Sequence, residues 1–187
     1  CVLLAAGAGK RFGGDKLLYP VGGVPMAQRA LALFAGVPFS ARVCVTRTEA
    51  RFIRTEAARR GYVVRINPEP ERGVGTSVSI GTAAAEAAGP PDGILYAVCD
   101  QPYLTEASVR RLLGAFEAAP ERIVSLSYRG VRGNPAIFPK ELFSELCALN
   151  ADIGGGAVIR NHPALLLPVE ADSARELEDV DTRAERT

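Results

Sequence analysis

Gly7, Gly9, Gly13 and Gly14 are interleaved with Lys10, Arg11 and Lys16 in one short stretch of the chain. Glycines let a backbone turn tightly and bring its N–H groups close to an anion. Arginine then holds phosphate bidentately and lysine as a point charge. The stretch follows an apolar run, Cys1–Ala6, so this chemistry suits a polyphosphate at the end of a buried strand. Two familiar phosphate loops do not fit. A P-loop needs Ser or Thr after its lysine, and Lys16 is followed by Leu17. A dinucleotide fingerprint needs a third glycine where Phe12 stands.

Two further stretches share that character. Asn67–Ser77 (NPEPERGVGTS) holds Gly73 and Gly75 beside the Ser77 hydroxyl, a set that can read the polar edge of a base. Asp100 follows the apolar run Gly93–Val98. A carboxylate at the end of a buried strand is a natural Mg²⁺ ligand, because that ion takes few protein carboxylates and completes its shell with phosphate and water.

The elements that must position these residues alternate. Apolar runs at 1–6, 42–46, 62–66, 93–98, 123–128, 135–138 and 165–169 read as strands. Helical patterns occupy 24–34, 48–60, 76–88, 105–118 and 139–149, with Thr76 or Ser77 as cap of the third and Thr105 as cap of the fourth. Residues 129–134 (RGVRGN) read as a turn. This order predicts an α/β fold with a mostly parallel sheet. Ligands in such folds bind outside the carboxyl ends of the strands, where the loops 7–16, 67–77 and 99–104 fall.

Composition narrows the field. The 187 residues predict a single domain over 1–187. A net charge of +1 argues against nucleic acid or anionic lipid as a partner. No apolar run is long enough to span a membrane and no leader pattern is present, so we expect a cytoplasmic protein. His162 is the only histidine, which excludes a His-rich zinc site. The widely spaced cysteines 1, 44, 99 and 147 read as small buried hydrophobes. The start at Cys1, inside an apolar run and without Met, leads us to expect a few residues before it.

The motifs also resemble a known family. L-A-A-G-x-x-x-R-F-G-x-x-K-L-L, followed by Pro20, Gly23 and Pro25, is similar to the opening signature of the MobA-like nucleotidyltransferases, and within them to the molybdenum cofactor cytidylyltransferases. Ala6 matches the cytidylyl branch, whose guanylyl counterpart more often has a glycine there. Val98-Cys99-Asp100-Gln101-Pro102 resembles the family's C-D-Q-P motif, and 67–77 its second nucleotide loop. Asp179-Val180-Asp181-Thr182 resembles its acidic C-terminal signature, with Arg183 in place of the usual proline. Gly133-Asn134-Pro135 and residues 152–156 fall where the family has acceptor-side segments.

That resemblance implies a three-layer, Rossmann-like nucleotidyltransferase domain with a mostly parallel mixed sheet. It implies Arg11, Lys16 and Asp100 as catalytic residues and Mg²⁺ held by Asp100 and Asp181. Leu4, Ala5, Ala6, Gly7, Ala8, Gly9, Arg11, Lys16, Asn67, Gly73, Gly75 and Ser77 would bind the nucleotide, CTP being favoured. Gly133, Asn134, Pro135, Gly155 and Gly156 would bind a phosphate-bearing acceptor, by resemblance the molybdopterin cofactor. A recipient molybdoenzyme or its chaperone would be a transient partner. Three alternatives stay open: a related transferase acting on a sugar phosphate, polyol phosphate or phospholactate, a non-catalytic pterin-binding maturation protein, and a dehydrogenase with a degenerate dinucleotide loop.

Overall fold

The computed structural model describes residues 1–7, 12 and 15–180. Its strands are β1 (Val2–Ala5), β2 (Pro20–Val21), β3 (Val24–Pro25), β4 (Val43–Thr46), β5 (Val63–Ile66), β6 (Gly93–Val98), β7 (Ile123–Tyr128), β8 (Val131–Pro139) and β9 (Leu166–Glu170). Seven of them form one sheet in the order β5-β4-β1-β6-β8-β7-β9. Within it only β8 runs against its neighbours. The remaining pairings are parallel. The helices are α1 (Met26–Ala35), α2 (Arg51–Arg59), α3 (Val74–Ala87), α4 (Glu106–Ala118), α5 (Phe143–Cys147) and α6 (Gly155–Asn161).

Strand alternation divides the core in two. Leu3, Ala5, Cys44, Leu95 and Ala97 face one side, where α1, α2 and α4 bring Leu31, Phe34, Ile53, Ala57, Leu112 and Phe116. Val2, Val43, Val45, Ile94 and Tyr96 face the other, against Val78 and Ala85 of α3, Leu146 of α5 and Val158 of α6. The result is a three-layer sandwich with a mixed, mostly parallel sheet, as the motifs imply. The small residues of α3 have a packing reason: a Cβ on Gly81 would lie 2.5 Å from Val2 Cγ1, so the helix can press on β1 only without one.

The chain winds outward from β1 through β4 to β5, then crosses back to lay β6 on the other side of β1. The reversal leaves a crevice beyond the carboxyl ends of β1 and β6, where Leu4 pairs with Val98. Gly7 and Asp100 leave the sheet there.

Several boundaries differ from the sequence reading. Val24 and Pro25 are strand β3, paired with β2, so α1 starts at Met26. Helix α3 starts at Val74, capped by Gly73 rather than by Thr76 or Ser77. Thr76 Oγ1 instead donates to Gly73 O at 2.8 Å. The 129–134 stretch is mostly strand, because β8 pairs with β7 from Val131 onward. Thr105 caps α4 as expected, its Oγ1 accepting from Ser108 N. Cys44 and Cys99 are fully buried among apolar neighbours, and burial pushes the Cys44 thiol up to about 12. All four cysteines are free.

Candidate active site at the sheet reversal

Lys16 Nζ lies 2.8 Å from Asp100 Oδ2 in the crevice. Lys16 starts a turn of 3₁₀ helix, Lys16–Leu18, that returns the chain from the first loop. Both charges are largely withdrawn from solvent, with side-chain exposures of 10% and 24%. The other carboxylate oxygen, Asp100 Oδ1, is buried and has no hydrogen-bond partner. An unpaired buried acceptor normally costs about 1–3 kcal/mol, so it points to a partner with positive charge.

The C-terminal segment is tied over this pair. Val180 N–H donates to Asp100 O at 3.1 Å. Gln101 Nε2 donates to Leu177 O. Glu176 is 2% exposed and accepts from Thr105 Oγ1 at 2.7 Å, Thr105 N at 3.1 Å and Asp172 N at 3.0 Å. Burial opposes its ionisation, and the hydrogen bonds from Ser108, Thr105 and Asp172 outweigh that, so the carboxyl sits below its ordinary value. Val180 also packs with Phe12 and Met26 in a small apolar cluster. Phe12, which stands where a dinucleotide loop has glycine, is therefore the anchor that joins the first loop to the tail. Asp181, Ala8, Gly9 and Arg11 lie outside the described residues.

Arg47 is a site residue that the sequence motifs do not mark. It follows β4, and its guanidinium donates to Gly7 O at 2.7 Å and to Asp15 Oδ2 at 2.7 Å. It thus holds both ends of the first loop. No local signal reveals it, because its partners are at the far side of a strand crossing.

The second loop, expected at the nucleotide, packs against the 150–153 turn. Asn67 is 1% exposed, and its Nδ2 donates to Thr76 Oγ1 and Ser77 Oγ at 2.8 and 2.9 Å. Gly75 N–H is committed to Ala151 O at 3.0 Å. A Cβ on Gly73 would meet Ala151 O at 2.4 Å, and one on Gly75 would meet Ile153 O at 2.6 Å. The structure brings Asn67, Gly73, Gly75 and Ser77 together as a joint between α3 and the 150–153 turn. The Ser77 hydroxyl faces Asn67 there and is 4% exposed.

The acceptor-side residues do converge. Gly133, Asn134, Gly155 and Gly156 line a cavity of about 410 Å³ together with Gln101, Arg132 and Asp179. Apolar residues, Val78, Tyr96, Val98, Ala136, Phe138 and Ile159, also line it. Gly155 is glycine because a Cβ would lie 2.9 Å from the Phe138 ring. Pro135 is buried behind these residues and follows a cis peptide bond. His162 stands at the end of α6, with Nε2 2.7 Å from Glu145 Oε2.

A mixed, mostly parallel sheet reversed at β1, with a lysine–carboxylate pair and a cavity beside the reversal, has the architecture of a nucleotidyltransferase. The chain belongs to the MobA-like NTP transferase family, whose domain matches residues 1–165. It is 32% identical to the nicotine blue oxidoreductase of Paenarthrobacter nicotinovorans, covering 97% of this chain and 91% of that one. It is 30% identical to the purine catabolism protein PucB of Bacillus subtilis, covering 98% and 92%. Among solved structures, Rv0371c of Mycobacterium tuberculosis superposes with a TM-score of 0.84 at 25% identity, covering 98% of this chain and 93% of that chain. A second structure of that protein, in complex with manganese, superposes with a TM-score of 0.75 at 24% identity and the same coverage. No helix among the described residues is long and apolar enough to cross a membrane.

Proposed function

We propose that the protein transfers a nucleotidyl group, CMP by preference, from a nucleoside triphosphate to a phosphate-bearing acceptor, the molybdopterin cofactor being the acceptor its motifs favour. The observation that carries the reading is the 2.8 Å Lys16–Asp100 contact at the sheet reversal, with the C-terminal segment bonded to Asp100.

In this reading an ionised oxygen of the acceptor phosphate forms a bond to the α-phosphorus. The bond from that phosphorus to the β-phosphate oxygen breaks, and pyrophosphate leaves with the electron pair. The nucleophile is already charged, so no general base is needed, and His162, engaged by Glu145, has no part in the step. Catalysis rests on positioning and charge neutralisation. Lys16 exchanges Asp100 for a phosphate oxygen when the triphosphate enters. The amides of Ala6 and Gly7 face the same phosphates, and Arg11 keeps the role its motif implies. Residues 67–77 act one layer behind, by fixing the start of α3.

The free, buried Asp100 Oδ1 fits a hard divalent cation, and the manganese complex of Rv0371c supports one here. Asp100 and Asp181 would hold Mg²⁺, which supplies charge neutralisation at the transferring phosphate.

The name of the Paenarthrobacter relative favours a second reading, an oxidoreductase. The residues weigh against a dinucleotide in the crevice. Phe12 is buried where a third glycine is required, and β4 ends at Thr46, followed by Arg47 and Thr48 before the first acid, Glu49.

The test is pyrophosphate release from CTP, GTP, UTP and ATP with molybdopterin and Mg²⁺. We expect CTP to be used best. Lys16→Ala should lower turnover at least ~10²-fold, in line with loss of a transition-state contact, and Asp100→Ala should abolish it. Both variants should retain wild-type circular dichroism. Release from none of the four triphosphates, or undiminished release from Asp100→Ala, overturns the reading.

A further inference from the structure

Arg132 and Arg160 come from different elements, β8 and α6, yet converge at one place. Arg132 Nη2 and Arg160 Nη1 lie 3.6 and 3.7 Å from the point where a Cβ on Gly156 would sit. Arg132 lines the 410 Å³ cavity, and Gly156 is part of its wall. Most arginines of the described fold are spent on carboxylates or carbonyls, as Arg47, Arg110, Arg111 and Arg122 are. Arg132 and Arg160, like Arg51 and Arg54, have neither a carboxylate nor a carbonyl partner among the described residues, but only Arg132 and Arg160 meet at one cavity wall. Two guanidinium groups with no ion-pair partner between them repel each other, in a cavity whose lining also includes Asp179. The sequence also leaves out the one side chain, at Gly156, that would fill the space between them. The cavity that Arg132 lines also has apolar and aromatic lining residues, Val78, Tyr96, Phe138 and Ile159.

We propose that Arg132 and Arg160 form the seat for the phosphate of the acceptor, and that the apolar lining selects a ring-bearing organic phosphate. The proposal deepens the transfer reading and rests on it for the word acceptor. The chemistry is direct: each guanidinium presents a planar fork of N–H donors, and a phosphate has oxygens enough to satisfy both. The ring then covers Val78, Tyr96, Phe138 and Ile159. Anion and ring together make a ligand that either group alone does not replace.

The probe is 1-naphthyl phosphate, a flat bicyclic ring with one phosphate. The protein has no tryptophan, so naphthyl fluorescence reports binding without overlap. We expect 1-naphthyl phosphate to bind more tightly than either 1-naphthol or inorganic phosphate. Arg132→Ala and Arg160→Ala should each weaken it at least about tenfold, the loss of a charged hydrogen-bonding group. Arg132→Lys should recover part of that loss. Binding of CTP should be unchanged in all three variants, and Lys16→Ala should bind the probe as wild type does. Both arginines are exposed, so the folded state should survive their removal, and a melting curve checks this. Wild-type probe affinity in both alanine variants overturns the proposal, as does a parallel loss of CTP affinity, which would assign the arginines to the triphosphate. If the arginines govern probe binding but no triphosphate is turned over, the seat stands and the transferase reading falls.

Discussion

The two glycine-rich loops look alike as sequence and sit in different surroundings. Around Gly7 a Cβ would find nothing within 4 Å among the described residues. Around Gly73 and Gly75 the fold leaves no space, with backbone atoms of residues 150–153 at 2.4 to 2.9 Å from the added Cβ. Gly73 also has φ of +114°, in the region that side chains avoid. The first loop is held from outside by charge, through Arg47 on Gly7 and Asp15. The second is held by packing and by the buried Asn67 amide. Only at Gly73 and Gly75 does the described structure itself supply the atoms that a side chain would meet.

The sharpest way to break this contrast is Gly75→Ala. Its methyl group would press on the carbonyls of Asn150 and Ile153, which are backbone atoms with no rotamer to escape into. We expect a loss of about 1–3 kcal/mol of stability, the usual range for forced overpacking. In a chain of this length that lowers the melting temperature by roughly 2–4 °C per kcal/mol. A melting curve that matches wild type would show the joint to be loose and the contrast false.

Next in size is Arg47→Ala. It removes two charge-assisted hydrogen bonds from the first loop and leaves the Asp15 carboxylate without the partner it has here. The pair is partly exposed, at 14% and 25%, so solvent screens it and the effect on global stability is small. The effect on the loop is larger. We expect KM for the triphosphate to rise about tenfold, equivalent to the loss of one charged hydrogen bond, with kcat reduced less. Unchanged kinetics would detach Arg47 from the loop's function.

The same contrast separates what is legible in the residues alone from what is not. The strands are legible because apolar runs bounded by Gly, Pro and Asn need no tertiary information, and β6 spans Gly93–Val98, the bounds of its apolar run. The Thr105 cap is legible for the same local reason. The pairing of Lys16 with Asp100 follows from the winding rule, which sends both loops to one end of the sheet. What stays hidden depends on distant partners. Arg47 bonds forty residues back to Gly7, and Val180 reaches back to Asp100. Gly73 and Gly75 read as open because the 150–153 turn that fills their space is invisible from positions 67–77. The 129–134 stretch reads as a turn because its two glycines and two arginines mask a strand that pairing with β7 imposes.

The smallest expected effect on the fold belongs to Gly7→Ala, and it sharpens the comparison most. Gly7 does not need the left-handed region, and its added methyl group would touch no neighbour among the described residues. Stability should stay within about 0.5 kcal/mol of wild type, as for a substitution that meets no neighbouring atoms. The methyl group would instead stand in the space through which the backbone approaches the phosphates. CTP affinity, measured by equilibrium dialysis, should fall about fivefold, the value of roughly one hydrogen bond. The paired result, a stable Gly7→Ala with weakened nucleotide binding beside a destabilised Gly75→Ala, would separate a ligand-facing glycine from a structural one. If Gly7→Ala binds CTP as wild type does, the open space beside Gly7 is not where the triphosphate lies, and the crevice must admit it from the side of Asp100 alone.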